Sequence, residues 1–349
     1  MKLRRSWRPI LSAALLSTAL LPACGRRGSV EPLDITPSFS ANRTTAPLGS
    51  AIEVTYTWTT GPGFKKLDKD YRALVHFLDS HKVVLFTDDH LPPVPPSSWE
   101  PGKTYTYTRT VFIPIYPYVG EVRPVMGLYP VAGKGDRLPL KGEDLGLREY
   151  KAATMEFQPQ TENIFLVYKE GWHNPESLPE NPSVIRTWTK QEALISFKNP
   201  KKDVLIYLEA DTCSKCFPET PVLTMSMGGK AGITLPIENG EVFLKKIRVK
   251  AADLGTEDYV DLRFSMNQSF IPKDLKVNND DRELGLKVYH LFVGDATKLP
   301  GVPEDQIVDA APLPVSKGAP KVAPGKSSVT AKTPAVAPKA SPAPAAKKG

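Results

Sequence analysis

The sequence places two cysteines, Cys213 and Cys216, three residues apart. Thiols at this spacing can form a redox-active pair, supply half of a zinc site or close a local disulfide. The residues that follow, Phe217-Pro218, lead into a strand pattern, so no helix is predicted to activate a thiol. The third and last cysteine lies far away at position 24 and cannot complete a four-thiolate zinc site. We therefore predict a disulfide between Cys213 and Cys216, with metal binding and redox activity as the alternatives.

Asp88, Asp89 and His90 are a second group that could do chemistry, as an acid–base pair or as metal ligands. Adjacent residues of a strand point to opposite faces, so the two carboxylates cannot serve one centre. His76 lies in an apolar strand pattern and is predicted to pack in a core. The chain has five histidines, none paired on one strand face, and no Gly-x-Ser-x-Gly motif. We therefore predict no catalytic residue, no metal site, no cofactor and no enzymatic activity.

Aromatic side chains near predicted strand ends are better candidates for a binding site. Trp172, His173 and Trp188 could contact sugar rings while neighbouring polar groups bind the hydroxyls. A further group lies in the first half of the chain: Tyr105, Tyr107, Tyr116 and Tyr118. The alternative for each ring is structural, because the aromatic residues of β-sandwiches mostly pack in or near the core.

Strands must position these side chains, because apolar and polar residues alternate along most of the chain and no long amphipathic helix is predicted. The predicted strands of the first half are Leu33–Phe39, Ile52–Trp58, Arg72–Asp79, Lys82–Thr87, Thr104–Ile113, Glu121–Tyr129 and Lys151–Phe157. Those of the second half are Asn163–Tyr168, Ala193–Phe197, Val204–Glu209, Val222–Met227, Val242–Val249, Tyr259–Met266 and Gly285–Val293. We predict an all-β fold of two antiparallel β-sandwiches, immunoglobulin-like over 32–158 and of jelly-roll type over 163–295.

The first residues of the chain have the pattern of an export signal. Four cations, Lys2, Arg4, Arg5 and Arg8, precede an apolar run that ends at Leu21. The next residues complete the segment Leu21-Pro22-Ala23-Cys24, which resembles the lipobox of bacterial lipoproteins. The resemblance implies that residues 1–23 are removed, that Cys24 is lipidated and that its acyl chains hold the protein on a membrane. An ordinary secretory signal with a chance cysteine is the alternative.

The lipobox resemblance also implies a location. Residues 24–31 would form a tether between the lipid and the first sandwich. The residue after Cys24 is Gly25, whereas an aspartate at this position would resemble an inner-membrane retention signal. The outer membrane is therefore favoured if the cell has two membranes.

The segment Asp280-Asp281-Arg282-Glu283-Leu284-Gly285 precedes the last predicted strand, and Phe270-Ile271-Pro272 lies shortly before it. Together they resemble the Asp-x-Arg-x-Leu-Gly region of β-sandwich modules attached to some bacterial polysaccharide glycosyltransferases. The resemblance covers about 163–293 and implies a galactose-binding-like, non-catalytic fold. From the residues themselves, Asp281 and Arg282 are predicted to pair where a loop joins a strand, and both stay candidates for ligand binding.

The charge of the chain is concentrated at its ends. The net charge is +7, but the first 23 residues and residues 311–349 hold only cations, so the folded body is slightly acidic and a nucleic-acid partner is not predicted. Residues 296–349, rich in Pro, Ala and Lys, are predicted to form a disordered tail that could bind anionic cell-wall polymer or lipid. A solubilising tail without a partner is the alternative. The prediction is thus a lipid-anchored envelope protein that binds carbohydrate or an envelope-assembly partner. A hydrolase or transferase with catalytic residues on loops is the alternative.

Overall fold

The computed structural model describes residues 31–115, 118–132, 135–161, 164–178, 181–229, 231–238 and 240–313. Over these ranges the chain forms strands, turns and four short 3-10 helices, with no α-helix. No helix of this part is long and apolar enough to cross a membrane. The predicted signal, Cys24 and most of the predicted tether lie outside the described residues, as do residues 314–349.

The first β-sandwich has nine strands: β1 Ile35–Ala41, β2 Thr45–Pro47, β3 Ala51–Thr60, β4 Tyr71–Leu78, β5 Val84–Thr87, β6 Thr104–Phe112, β7 Gly120–Pro130, β8 Tyr150–Lys151 and β9 Met155–Gln158. One sheet has the order β1-β3-β6 and the other the order β2-β9-β7-β4-β5, with β8 paired to β7. Alternation explains the packing, because every second residue of β1 is buried and the residues between are exposed. The core between the sheets includes Trp58, Trp99 and Phe77, all fully buried.

The second β-sandwich has twelve strands: β10 Leu166–Tyr168, β11 Glu176–Leu178, β12 Asn181–Trp188, β13 Glu192–Lys198, β14 Val204–Asp211, β15 Val222–Met227, β16 Ala231–Pro236, β17 Phe243–Val249, β18 Tyr259–Met266, β19 Lys287–Asp295, β20 Ile307–Asp309 and β21 Ala311–Pro312. Its sheets have the orders β10-β13-β18-β15-β16-β21 and β11-β12-β19-β14-β17-β20. A separate core lies between them, with Phe197, Leu208 and Phe264 among its buried residues. The 3-10 helices of the chain are Pro96–Ser98, Ser214–Cys216, Ala296–Lys298 and Glu304–Gln306.

The predicted fold class is confirmed: the described chain is all-β and forms two β-sandwiches. Pairing is antiparallel except where β2 lies parallel to β9 and β20 parallel to β17. The predicted tail needs correction for residues 296–313, because β20 pairs with β17 and β21 pairs with β16. Short pairing segments hold this stretch to both sheets of the second sandwich, although its composition resembles that of a linker.

The two sandwiches contact each other through a small junction. Its buried apolar residues are Ala51 of the first sandwich and Leu205, Tyr207, Phe292 and Leu299 of the second. Beside them the ammonium of Lys246 lies 2.8 Å from a carboxylate oxygen of Glu53, with 3% and 5% of the two side chains exposed. The junction therefore contains a buried ion pair as well as an apolar contact.

Candidate functional site

Trp172 is partly buried and packs against the core of the second sandwich. Its indole N–H donates to the carbonyl of Leu194 (3.0 Å), and its ring lies edge-on to Phe264 and Tyr168. These contacts are those of a residue that packs within the sandwich, which was the alternative to a binding role.

His173 and Trp188 lie together at one end of the second sandwich. A ring nitrogen of His173 lies 2.7 Å from the carbonyl oxygen of Glu283, and its backbone N–H donates to the carbonyl of Trp188. The Trp188 ring packs against Phe270 beside the disulfide, with the ammonium of Lys287 5.3 Å from the ring centre. Both side chains are engaged within the protein.

Cys213 and Cys216 are joined by a disulfide with 5.3 Å between their Cα atoms. The bridge spans the 3-10 turn Ser214–Cys216 and packs against Phe217 and Phe270. The bridge lies in the turn that directly follows β14. Among the described residues, no group of three or more metal-ligating side chains occurs.

Arg282 pairs with Asp280 and Glu176, at 2.7 and 2.6 Å, and not with Asp281 as the sequence suggested. The reason is local, because the Asp280 carboxylate also accepts the backbone N–H of Arg282 in a tight turn. The hydrogen bond from Arg282 lowers the pKa of Asp280. Asp281 is exposed. These residues hold the loop before β19, which is what a loop-to-strand junction needs.

Asp88 and Asp89 point to opposite faces, as predicted for neighbours in an extended segment. Asp88 accepts hydrogen bonds from Tyr56 (2.8 Å) and Arg109. Asp89 accepts from the backbone N–H of Val75 and from the hydroxyl of Tyr129. Burial opposes ionisation of Asp88, but hydrogen bonds from His90 and Arg109 outweigh it and lower the pKa of this carboxyl. These hydrogen bonds join the segment after β5 to β3, β4, β6 and β7, so this group stabilises the sandwich.

Tyr105 and Tyr107 lie on the inner side of β6. The Tyr105 ring stacks on Trp99, with ring centres 5.1 Å apart. The Tyr107 hydroxyl lies 2.8 Å from a ring nitrogen of His90, and burial raises the pKa of Tyr107 to about 12. These two rings are core contacts. The Tyr118 hydroxyl donates a hydrogen bond to the backbone carbonyl of Glu121. Tyr116 lies outside the described residues.

An open cleft of about 670 Å³ lies instead on the outer face of the second sandwich, where β10, β13 and β18 run side by side. We name it the Tyr259 cleft, after its exposed aromatic ring. Its residues are Val167, Lys169, Ser196, Thr256, Glu257, Asp258, Tyr259 and Asp261. Alternation in β18 explains the exposure, because Val260 and Leu262 point into the core and Tyr259 and Asp261 point outward.

The loop that borders the Tyr259 cleft is held firmly. The buried amide of Asn199 donates to the backbone carbonyls of Gly255 and Glu257, both at 3.0 Å. The ammonium of Lys201 donates to the carbonyls of Thr256 and Glu257. These bonds fix the backbone of 255–258, so the side chains at the rim project from a rigid support.

The chemistry of the Tyr259 cleft suits a polyhydroxylated ligand. The Tyr259 side chain is 62% exposed and offers an apolar ring face. Carboxylates at Glu257, Asp258 and Asp261 can accept hydrogen bonds, and Lys169, 2.9 Å from Asp261, can donate them. A second cleft of about 510 Å³ lies between the sandwiches, but its lining is mostly apolar and includes Phe112 and Phe165.

Sequence reasoning missed Tyr259. A signal was present, because this tyrosine follows Thr256-Glu257-Asp258 and opens a strand whose next apolar residue must face the core.

No family model matches the chain, and no curated protein matches it. Among solved structures, the tandem CBM22-1–CBM22-2 domain of Xyn10C from Paenibacillus barcinonensis is 11% identical, with a TM-score of 0.22, over 77% of this chain and 99% of that one. The M60 catalytic domain with CBM51-1 and CBM51-2 of Clostridium perfringens ZmpB is 8% identical, with a TM-score of 0.23, over 71% and 34%. A family GH115 4-O-methyl-α-glucuronidase, BtGH115A, is 13% identical, with a TM-score of 0.27, over 42% of this chain.

The chain spans about a fifth of the length of that glucuronidase. Structural similarities with such low TM-scores do not indicate a function for this chain.

Proposed function

We propose that this protein is a non-catalytic carbohydrate-binding protein of the cell envelope and that the Tyr259 cleft binds the glycan. One observation carries the proposal: an exposed aromatic ring lies beside carboxylates and an ammonium group on a rigid sheet. Sugar rings have an apolar C–H face and polar hydroxyl edges, so they need both kinds of group in one place.

The expected contacts follow from the side-chain types. The ring of Tyr259 would lie against the C–H face of one sugar unit. Asp258 and Asp261 would accept hydrogen bonds from its hydroxyls, and Lys169 would donate one. Hydrogen bonds that involve a charged group are stronger than neutral ones, about 1.5–3 kcal/mol each. The loop held by Asn199 loses little freedom on binding, which favours affinity.

The envelope location rests on the sequence. The lipobox-like segment that ends at Cys24 supports a lipid anchor, and the lysine-rich tail supports contact with anionic wall polymer or lipid. An anchored protein with a glycan site would keep a polysaccharide at the membrane surface.

The test is a glycan array probed with the chain from Gly25 onward, which lacks the lipid attachment site. We expect Tyr259→Ala to weaken the best ligand by about tenfold or more, because the ring contact is lost. Tyr259→Phe keeps the ring and should retain most of the affinity. Phe165→Ala is the matched control, since Phe165 is also exposed (80%) but lies outside the Tyr259 cleft. Equal binding by Tyr259→Ala and the parent protein would refute the assignment.

The alternative, a hydrolase or transferase, is favoured by one feature: the Tyr259 cleft holds three carboxylates, and glycoside hydrolysis uses a carboxylate pair. The same ligands should therefore be incubated with the protein and assayed for new reducing ends. Release of product that Asp261→Asn abolishes while binding persists would establish catalysis. If an envelope-assembly protein is the partner instead, a pull-down from solubilised envelope would recover it, and the protein would bind no glycan on the array.

A further inference from the structure

Nine hydroxyl side chains cover the outer face of the sheet β1-β3-β6 over the part that lies away from the junction. They are Thr36, Ser38 and Ser40 of β1, Thr55, Thr57 and Thr59 of β3, and Thr104, Thr106 and Thr108 of β6. We name this surface the hydroxyl face. Every outward position along these stretches carries a serine or a threonine, so the face presents one chemical group without interruption.

The pairing register sets these hydroxyls in three rows of three. The rows are Thr36–Thr59–Thr104, Ser38–Thr57–Thr106 and Ser40–Thr55–Thr108. Between β3 and β6 the paired threonine oxygens of these rows lie 3.5, 3.1 and 3.1 Å apart, in the same order. Neighbouring strands are about 4.8 Å apart and alternate residues of one strand about 7 Å apart, so the grid is regular in both directions.

The inner side of the same strands is aromatic and fixed. Tyr56 and Trp58 of β3 are fully buried, and the Tyr105 and Tyr107 rings of β6 pack beneath the sheet. A rigid core under the hydroxyls limits their movement, because each backbone position is set by a packed neighbour on the other face. The outer side remains open: the positions on β1 and β6 are exposed, and only the central Thr55 and Thr57 are half-buried.

None of the nine side chains of the hydroxyl face is charged, in contrast to the outward side chains of β18. On β18 of the second sandwich, the outward positions include Asp261 and Arg263. High strand propensity favours threonine at exposed positions but does not exclude lysine or glutamate there. Both β1 and β6 are edge strands, where proteins commonly place charges against aggregation. The hydroxyl face lacks that protection at all nine positions.

We propose that the hydroxyl face binds the flat surface of a neutral, insoluble polysaccharide. A hydroxyl both donates and accepts, so a fixed grid of hydroxyls can bond to a second hydroxyl-rich layer. The threonine methyl groups can contact apolar C–H faces of the sugar rings. Since neither surface carries ions, no charge has to be desolvated when they meet. Many weak contacts act together only against an extended, ordered surface, so a short soluble oligosaccharide should bind poorly.

This surface is separate from the Tyr259 cleft, and the inference does not rest on that assignment. The experiment mixes the chain from Gly25 onward with microcrystalline cellulose or chitin powder and measures the protein that sediments. The parent protein should sediment equally at low and high salt, because the contact is uncharged. The double variant Thr57→Lys/Thr106→Lys should reduce the bound fraction about tenfold, since two ammonium groups would need desolvation in the middle of the grid.

Thr224→Lys/Thr234→Lys is the matched control. These threonines also face each other across two strands, with oxygens 3.5 Å apart, but they lie on the second sandwich outside any such grid. This variant should sediment like the parent. A loss confined to the hydroxyl-face variants therefore assigns the binding to that face. Thr57→Val/Thr106→Val keeps the shape and removes two hydroxyls, and a partial loss is expected even if the lysine variant misfolds.

The inference is overturned if the parent binds neither powder, if the valine and lysine variants bind as the parent does, or if sedimentation falls steeply with salt and so traces to the lysine-rich tail. Adsorption to ice crystals without adsorption to either powder would also overturn it, since the partner would then be another hydroxyl lattice.

Discussion

The buried ion pair between Lys246 and Glu53 should dominate the stability of the junction between the sandwiches. Lys246 lies on β17 and Glu53 on β3, with 2.8 Å between the ammonium and a carboxylate oxygen. Lys246 also donates to the side-chain carbonyl of Gln306 (2.7 Å), and Glu53 accepts the hydroxyl of Thr110. Both charges are thus almost fully removed from water and satisfied by protein groups.

Replacing one partner should be costly. In Lys246→Met the side chain keeps about the same volume, but the buried Glu53 carboxylate loses its ammonium partner and keeps hydrogen bonds to the hydroxyls of Thr110 and Tyr207. Breaking a buried pair in this way typically lowers the free energy of unfolding by about 3–5 kcal/mol. For a folded unit of this size that corresponds to a fall of roughly 10 °C in melting temperature. Replacing both partners should be far less harmful, because no charge is then left without compensation.

The assay is urea unfolding and thermal melting of four proteins: the parent, Lys246→Met, Glu53→Gln and the double variant. Lys245→Met is the control, since the adjacent residue points to the other face of β17 and should change stability by less than about 1 kcal/mol. A loss below about 1 kcal/mol in Lys246→Met, or strict additivity in the double variant, would refute the reasoning.

Two further predictions concern the ends of the chain. Cys24→Ala should release the protein from membranes or leave an uncleaved precursor, as judged by membrane fractionation and mass spectrometry of the N-terminal peptide; an unmodified Cys24 in a soluble mature chain would end the proposal of a lipid anchor. Truncation after Leu313 should leave the melting temperature unchanged. Truncation after Pro303 should lower it, because Arg248 loses its partners Glu304 and Asp309 and β17 loses the neighbouring strand β20.

Alternation was sufficient to predict the strands that supply most of each core. It failed for β12 and β16, whose sequences contain residues that strands usually avoid: Pro182 near the start of β12, and Gly232 and Pro236 in β16. Pairing with neighbouring strands stabilises both segments, and a single-sequence pattern does not contain that pairing. The same reason explains the segment Ile307–Asp309, which is too short to be recognised without the strand beside it.

The candidate site was harder to predict than the fold. In β6 the pattern Thr-Tyr-Thr-Tyr shows that tyrosines and threonines lie on opposite faces, but it does not show which face is buried. Tyrosine is amphipathic, so Tyr105 and Tyr107 were reasonable candidates for an exposed platform. The opposing sheet determines which face is buried, because it covers the tyrosine rings and leaves the threonines exposed. For Trp172 the sequence left a binding and a structural role open, and only the packed structure shows Phe264 against its ring.

A rigid junction would determine how the two proposed surfaces act on one polymer. Suppose that the Tyr259 cleft and the hydroxyl face are fixed relative to each other. Polymer bound at one surface then raises the effective concentration of polymer at the other, but only when a single polymer surface reaches both. A loosened junction would relax that geometric demand. The Lys246→Met variant can show the difference, because neither surface contains Lys246. We expect it to bind a soluble oligosaccharide at the Tyr259 cleft like the parent. Any change in its sedimentation with insoluble polysaccharide would then report the coupling between the sandwiches, whereas an identical sedimentation curve would mean that each surface acts alone.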